Sequence, residues 1–455
     1  MSLEKTVYIG TFIHCQSLTE LDIVDNGAVG VDEQGKIAFV HRDRHATSLE
    51  QGWKSAKIVD SLKHGFFFPG FIDTHIHASQ YPNAGVFGKS TLLDWLNTYT
   101  FPLESSFNAL DKAARIYNRV VARTLSHGTT TACYYATVHV PATILLADIC
   151  HSKGQRAFVG RVCMDRLSPE WYRDESVEAA MDATKKCIEH IENIDPDFHL
   201  ITPIITPRFA PSCTDECLIA QGRLVQETGL PCQTHISENK AECQLVQEMF
   251  PESKSYTEVY DSTGLLTNRT ILAHAVHLTP EERALIKLRQ AKISHCPASN
   301  TALTSGTAKV RTLLNEGLTV GLGTDISGGY TSSLLAEARE AIFVSRHNAM
   351  TEGDGAKLSV EEALYLATRG GAKVVGLEDR IGGFEVGKDW DAQMVMLNPV
   401  GKDEDLDQSV GLVDVFGGES WSEKVEKWVY TGDDRNTMAV WVKGRLVHDR
   451  ERVRS

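Results

Sequence analysis

No stretch of about 18 consecutive apolar residues occurs in this sequence, and a transmembrane helix would need one. The N-terminal segment MSLEKTVYIG does not have the basic and then apolar layout of a secretory signal peptide. Internal repeats and low-complexity segments are also absent. We therefore expect a globular protein that acts in the cytoplasm and has no membrane partner.

Cysteine and basic residues are both in short supply. Ten cysteines are spread over 455 residues and none forms a C-x-x-C pair, so the pattern favours reduced thiols over a disulfide scaffold. The 46 lysines and arginines are outnumbered by 60 aspartates and glutamates, which gives a net charge of −14. Because nucleic acids and anionic lipids are bound by positive surfaces, this balance argues against either as the main partner.

Both ends of the chain have the residue pattern of short β-strands. Near the N-terminus, two segments in which apolar and polar residues alternate flank a predicted turn at residues 32–35. Near the C-terminus, DAQMVML and then residues 426–449 have the same pattern and are read as strands. We therefore predict one small β-sandwich domain built jointly from residues 1–65 and 381–455.

The middle of the chain alternates short apolar segments with helical patterns. Helical patterns such as residues 215–229 and 279–290 lie between most of the candidate strands. This alternation predicts an α/β protein with a (β/α)8 TIM-type barrel over residues 66–380. The eight candidate strands are 70–77, 129–135, 156–162, 199–205, 231–237, 270–276, 292–297 and 319–325.

Two histidines stand at the end of the first candidate strand, in GFIDTHIHASQ. Side chains alternate between the faces of a strand, so His75 and His77 point to the same side. The active site of such a barrel lies at the carboxyl ends of the strands, and His235, His274 and Asp325 lie at or near the carboxyl ends of three other strands. Each residue alone could be a core histidine or a turn carboxylate. Their coincidence at strand ends favours a metal site, because zinc takes imidazole and carboxylate ligands.

Six short motifs follow one another along the chain: GFIDTHIHASQY, PRFAPSC, THISEN, AHAVHL, HCPASN and GLGTD. In this order they resemble the amidohydrolase superfamily, and the likeness covers about residues 66–436. Gln80, WLNTYTFPLE and TGDDRN are similar, more narrowly, to the guanine deaminases of that superfamily. The resemblance implies hydrolytic deamination of guanine to xanthine and ammonia, in purine catabolism and salvage, by a homodimer.

The resemblance also implies a centre with one metal ion per chain, zinc or alternatively iron. His75, His77, His235 and Asp325 would be the metal ligands. His274 would hydrogen-bond the water at the metal, and the sequence leaves open whether it also coordinates. A bound zinc lowers the pKa of water towards neutrality, and Asp325 would accept the proton of that water.

Other residues would handle the substrate. Glu238, in THISEN, would carry protons to a ring nitrogen and to the departing amine; its alternative role is to cap the next helix. Arg208 and Gln80 would read the polar edge of guanine, and Phe209 would pack on the ring plane. A surface ion pair and a core aromatic are the alternatives for Arg208 and Phe209. His235 and Glu238 would also contact the base.

Two alternative functions stay open. The same chemistry could act on another purine, a pyrimidine or a triazine, or the barrel could survive as a non-catalytic scaffold. The different fold of the zinc deaminases that carry H-x-E and P-C-x-x-C is excluded, because the sequence contains no P-C-x-x-C.

Overall fold

The computed structural model describes residues 3–45, 52–61, 63–88, 91–400 and 411–450. The predicted terminal segments extend beyond these limits, to residues 1–2 and 451–455, which lie outside the described residues. Strands dominate the two ends of the chain, and strands and helices alternate in the middle, so the protein has mixed α/β content.

An eight-stranded, mostly antiparallel sheet joins the two ends of the chain. Its strands are β1 (Thr6–Cys15), β2 (Leu21–Val31), β3 (Ile37–His41), β4 (Lys57–Asp60), β5 (Gly65–Pro69), β16 (Ala392–Met396), β19 (Thr437–Val442) and β20 (Arg445–Asp449). Their order in space is β20-β19-β16-β5-β1-β2-β3, with β4 beside β1. The sandwich arrangement predicted for this region stays a prediction.

The predicted turn at residues 32–35 connects β2 to β3. Its geometry is fixed by Asp32, whose Oδ1 accepts hydrogen bonds from the backbone N–H groups of Gln34 and Lys36, each over 2.9 Å. An aspartate that bonds the backbone two residues later is a common device for closing such turns.

Two four-stranded parallel sheets form the middle of the chain, and their eight strands all lie within the predicted segments. The first sheet contains β6 (Phe71–His77), β7 (Thr129–Tyr135), β8 (Arg156–Gly160) and β10 (Ile201–Pro203). The second contains β12 (Cys232–Ile236), β13 (Thr270–His274), β14 (Lys292–His295) and β15 (Thr319–Leu322). Two short pairs are β9 (Val162–Cys163) with β11 (Thr206–Pro207), and β17 (Asn398–Pro399) with β18 (Asp414–Val415).

Backbone contacts connect the outer strands of the two parallel sheets. Ile205, just after β10, forms a parallel bridge with Cys232 of β12. On the other side, the N–H of Asp325 donates to the carbonyl of His75 over 2.8 Å. The backbone therefore holds together the strand ends that carry the predicted site.

Most of the described helices lie between consecutive parallel strands, and the last four follow β15, the last strand of the second parallel sheet. They are α1 (Leu92–Trp95), α2 (Phe101–Ser105), α3 (Leu110–Ser126), α4 (Val140–Lys153), α5 (Val177–Ile194), α6 (Asp215–Thr228), α7 (Lys240–Met249), α8 (Tyr256–Ser262), α9 (Pro280–Arg289), α10 (Pro297–Ala302), α11 (Val310–Asn315), α12 (Leu334–Glu352), α13 (Val360–Tyr365), α14 (Gly371–Val374) and α15 (Trp421–Thr431). A π-helical segment, Leu96–Thr100, joins α1 to α2. Among the described residues, we find no helix with the length and apolar character needed to cross a membrane.

One predicted strand region is wrong, because residues 426–431 lie in α15. Ser420 begins this helix with a capping box, in which its side chain accepts from the N–H of Glu423 and the Glu423 carboxylate accepts in return. Val425 and Trp428 are buried and three residues apart, which is a helical spacing. The β-branched and aromatic composition suggested strand, but the cap and the spacing decide for helix.

A buried ion-pair network connects the first parallel sheet to the terminal sheet. Arg156 begins β8, and its Nη2 lies 2.9 Å from Asp389 Oδ2 and 3.3 Å from Asp391 Oδ1. Asp391 also accepts the backbone N–H of Lys443, in the turn between β19 and β20, over 2.8 Å. Arg156 therefore joins three separate parts of the chain.

We predict that Arg156→Leu lowers the free energy of unfolding by about 3–5 kcal/mol, because the buried carboxylate of Asp391 loses its counter-charge, whereas Asp389 keeps Lys36 at 2.9 Å and Arg380 at 3.3 Å. Denaturant or thermal unfolding measures the change. Arg42→Leu is the matched control, since Arg42 pairs with Asp22 at 2.9 Å on the surface, where ion pairs contribute little. Equal losses in the two variants would contradict the prediction.

Candidate active site

The five residues predicted at strand ends meet at the carboxyl ends of the parallel strands. His75 and His77 lie at the end of β6, and His235 lies in β12. His274 is the last residue of β13, and Asp325 follows β15 by three residues. All five side chains are buried.

Asp325 is the common neighbour of the histidines. Its Oδ1 lies 3.1 Å from His75 Nε2 and 3.3 Å from His77 Nε2, and its Oδ2 lies 3.8 Å from His274 Nε2. His235 Nε2 in turn lies 3.2 Å from His77 Nε2. A neutral imidazole has one N–H and one lone pair, so this convergence of ring nitrogens on a carboxylate suits a cation placed among them.

A metal ion fits this donor set. One ligand atom from each of His75, His235, His274 and Asp325 lies within 4.8 Å of the others. His75 Nε2 and His274 Nε2 are buried, and neither makes a hydrogen bond within the described part of the chain. The predicted ligand set contains His77 in place of His274, and the choice between these two stays a prediction.

Burial controls the charges in the cluster. It lowers the pKa of His75 to about 3 and that of His235 well below its usual value, so both rings are neutral. Burial raises the pKa of Asp325, but the contacts with His75 and His77 outweigh it and hold that pKa well below its usual range. Neutral imidazoles and an ionised carboxylate are the forms that bind a divalent metal.

Contacts at Nδ1, on the side of the ring away from the cluster, orient two of the histidine rings. His235 Nδ1 lies 2.6 Å from the carbonyl oxygen of Arg208, and His274 Nδ1 lies 2.9 Å from Asn300 Oδ1. Both contacts favour an N–H on Nδ1 and leave Nε2 facing the cluster. The backbone of His274 and Asp325 has φ of 74° and 44°, left-handed values that are strained for these residue types.

Glu238 lies beside the cluster, and its side chain is not the cap of the next helix. Its Oε2 is 3.5 Å from His274 Nε2, and its Oε1 accepts a hydrogen bond from Ser305 Oγ over 3.1 Å. Burial raises the pKa of Glu238 to about 7. The N-terminus of α7 is capped by Asn239 together with Glu242, so the capping alternative for Glu238 is wrong.

A small cavity opens beside the cluster. Every predicted site residue except His75 lines it, including Gln80, Arg208 and Phe209. The rest of its wall is apolar and consists of Leu92, Trp95, Leu96 and Leu303. A cavity that combines an apolar wall with convergent polar groups suits a small planar ligand.

The sequence interpretation missed the buried carboxylate of Glu104, in α2. Its Oε2 accepts from Arg208 Nη1 over 2.7 Å and its Oε1 from Arg208 Nη2 over 3.3 Å. Gln80 Nε2 and the Tyr172 hydroxyl donate to the same carboxylate, each over 2.8 Å. Arg208 is thus a buried ion-pair partner, and the surface ion pair considered for it is wrong. The sequence signal for Glu104 was its place as the last residue of WLNTYTFPLE, a motif that carries the resemblance to guanine deaminases.

Comparison with known proteins places the chain among well-described relatives. The sequence model described as "Amidohydrolase family" matches residues 66–447. The chain is 49% identical over 447 residues to the probable guanine deaminase of Schizosaccharomyces pombe, covering 97% of this chain and 83% of that protein. It is 41% identical over 445 residues to the guanine deaminase of Homo sapiens, covering 97% and 96%. The solved guanine deaminase from C. acetobutylicum with bound guanine has a TM-score of 0.88 at 35% identity, covering 98% and 100%.

We predict that the purified protein holds about one divalent metal ion per chain and that Asp325→Ala loses it, because Asp325 contacts three of the four histidines. Elemental analysis of protein purified without added metal measures the content. His199→Ala is the control, since His199 pairs with Asp197 on the surface. A wild-type protein with no metal, or with two ions at full occupancy, would contradict a mononuclear centre.

Proposed function

The chain belongs to the amidohydrolase family, and we propose that it converts guanine to xanthine and ammonia by hydrolytic deamination, a step of purine catabolism and salvage. The observation that carries this proposal is the position of the cavity, with the His/Asp cluster at one end and Arg208 and Gln80 in its lining. The guanine deaminases at 41% and 49% identity and the relative with bound guanine support the choice of substrate.

We infer that the eight parallel strands close into a (β/α)8 barrel over residues 66–380. The bridge between Ile205 and Cys232 and the hydrogen bond from Asp325 to His75 support closure. Residues 1–65 and 381–455 form the second, small β domain of this proposal.

The proposed cofactor is one zinc ion per chain, because three imidazoles and one carboxylate are a typical donor set for zinc. His75, His77, His235 and Asp325 are the proposed ligands. When bound, such an ion supplies Lewis acidity that makes water a nucleophile at neutral pH.

Proton transfer in this proposal depends on three side chains, those of Asp325, His274 and Glu238. The Asp325 carboxylate accepts the proton of the attacking water. Glu238 gives one proton to the ring nitrogen next to the carbon under attack, takes the second proton of the added water as the C2 carbonyl forms, and passes it to the departing amine. The proton held by Asp325 then restores Glu238. The pKa of Glu238, which burial raises to about 7, lets it donate and accept protons near neutrality. His274 Nε2, 3.8 Å from Asp325 Oδ2 and 3.5 Å from Glu238 Oε2, lies between the two carboxylates and orients the water.

Gln80, Arg208 and Phe209, with His235 and Glu238, hold guanine so that C2 faces the cluster. The edge formed by O6 and N7 carries two acceptors. Both terminal nitrogens of Arg208 donate to Glu104, so Arg208 meets this edge with its remaining N–H groups. Phe209 supplies an aromatic face in the cavity wall.

The proposal includes a homodimer, which rests on the family resemblance, and a cytoplasmic location. Supporting the latter, each of the ten cysteines is a free thiol and nine are buried, as suits a reducing compartment.

The direct test is to incubate the metal-loaded protein with guanine and measure xanthine by ultraviolet absorbance and ammonia by an enzymatic assay. We expect equal amounts of both products. Adenine, cytosine and an amino-triazine are run in parallel. Turnover of one of these in place of guanine would contradict the substrate, and turnover of none would favour the scaffold alternative.

We predict that Glu238→Gln lowers kcat by about 10³–10⁴, because general acid–base groups contribute up to this range and an amide cannot deliver a proton. Guanine affinity, metal content and melting temperature should stay near wild type. Glu248→Gln, an exposed position on α7, is the matched control. Turnover within tenfold of wild type would remove Glu238 from the mechanism, and loss of metal would make it a ligand.

We predict that Arg208→Ala raises KM for guanine by about ten- to hundredfold or more, because a good bidentate base contact is worth ~1–3 kcal/mol. Metal content should be unchanged. The variant also leaves Glu104 unpaired, so its melting temperature should fall. Arg223→Ala, exposed on α6, is the control. An unchanged KM would show that Arg208 does not read the base.

A further inference from the structure

The carboxylate of Glu104 is shared by three side chains from three other segments of the chain. Each oxygen accepts one hydrogen bond from Arg208 and one from a second donor: Gln80 Nε2 on Oε1 and the Tyr172 hydroxyl on Oε2. Glu104 is fully buried and is not part of the cavity wall, whereas Arg208 and Gln80 are.

This arrangement determines which atoms Gln80 and Arg208 can offer to a ligand. A carboxylate only accepts hydrogen bonds, so the Gln80 amide must turn its NH₂ towards Glu104. The Gln80 Oε1 is then occupied by the backbone N–H of Ser327, at 3.3 Å. The N–H groups that Glu104 leaves free on Gln80 and Arg208 are all donors, and these are what the two side chains offer to the cavity.

We propose that Glu104 is a positioning residue that fixes the donor polarity of the base-reading wall and thereby selects an oxo group over an amino group at C6 of the purine. The inference rests on the proposed function, because it assumes that Arg208 and Gln80 face the O6 and N7 edge. It deepens that function by assigning the discrimination to a carboxylate that does not touch the substrate.

A glutamine at position 104 would change this polarity while keeping the size of the side chain. Its single oxygen can serve Arg208, but its NH₂ then faces the NH₂ of Gln80. Turning Gln80 over relieves this conflict at the cost of the hydrogen bond that Ser327 N–H donates to Gln80 Oε1, and an amide in that orientation offers an acceptor to the cavity. The site would then tolerate a purine with an amino group at C6.

The experiment compares guanine with 2,6-diaminopurine, which carries an amino group in place of O6. For Glu104→Gln we expect KM for guanine to rise at least about tenfold with kcat nearly unchanged. We also expect the ratio of the inhibition constant of 2,6-diaminopurine to KM for guanine to fall at least about tenfold. Metal content is measured on the same samples and should equal that of the wild type.

Two further variants separate positioning from stability. Glu104→Asp keeps both acceptor oxygens and the charge, so we expect a higher KM but an unchanged selectivity ratio; it also serves if Glu104→Gln does not fold. Asp391→Asn makes the matched change in the buried Arg156 network, away from the cavity, and should lower the melting temperature without changing KM or selectivity.

A double-variant cycle tests whether Glu104 acts through its neighbours. Added to Arg208→Ala, Glu104→Gln should raise KM by less than it does alone, since residues in one network are not additive. Full additivity, or a selectivity ratio in Glu104→Gln equal to that of the wild type, overturns the inference. Loss of selectivity in Glu104→Asp overturns it as well. A wild-type protein that leaves guanine unchanged refutes the proposed function, and this inference with it.

Discussion

Five ionisable side chains share a few ångströms at the carboxyl ends of the parallel strands, away from bulk water. Such a cluster is unfavourable unless its charges and lone pairs are compensated. Asp325 supplies the negative charge, and the histidines that burial keeps neutral supply the lone pairs. A divalent cation is the group that satisfies both at once. The contacts behind the rings, such as Asn300 on His274, serve this same requirement because they keep Nε2 facing inward.

A second buried charge centre borders the cavity through Arg208, where Glu104 and Arg208 neutralise each other. The two centres are linked by Arg208 itself, since its backbone carbonyl receives His235 Nδ1 while its side chain is held by Glu104. A shift of Arg208 would therefore disturb both the cluster and the wall that reads the base. The bidentate pair with Glu104 holds the Arg208 side chain in place, and a preorganised donor loses less entropy on binding.

The structure brings together the residues that the sequence placed at strand ends, and what the sequence could not reveal has physical causes. His75, His77 and Asp325 were recognisable because strand alternation and strand ends are local features. Glu104 and Asn300 were not, because their partners are brought near only by the tertiary fold: Arg208 is 104 positions from Glu104 and His274 is 26 from Asn300. The helix α15 was mistaken for strand because composition was weighed above the capping box at Ser420.

The amino and carboxyl ends of the parallel strands have different roles. At the start of β8, Arg156 joins the parallel sheet to the terminal sheet through Asp389 and Asp391. At the opposite ends, His274 and Asp325 adopt strained left-handed backbone around the cluster. Strain of this kind persists only where the surrounding structure over-determines the conformation. The buried ion-pair network and the costly arrangement of charges therefore lie at opposite ends of the parallel strands.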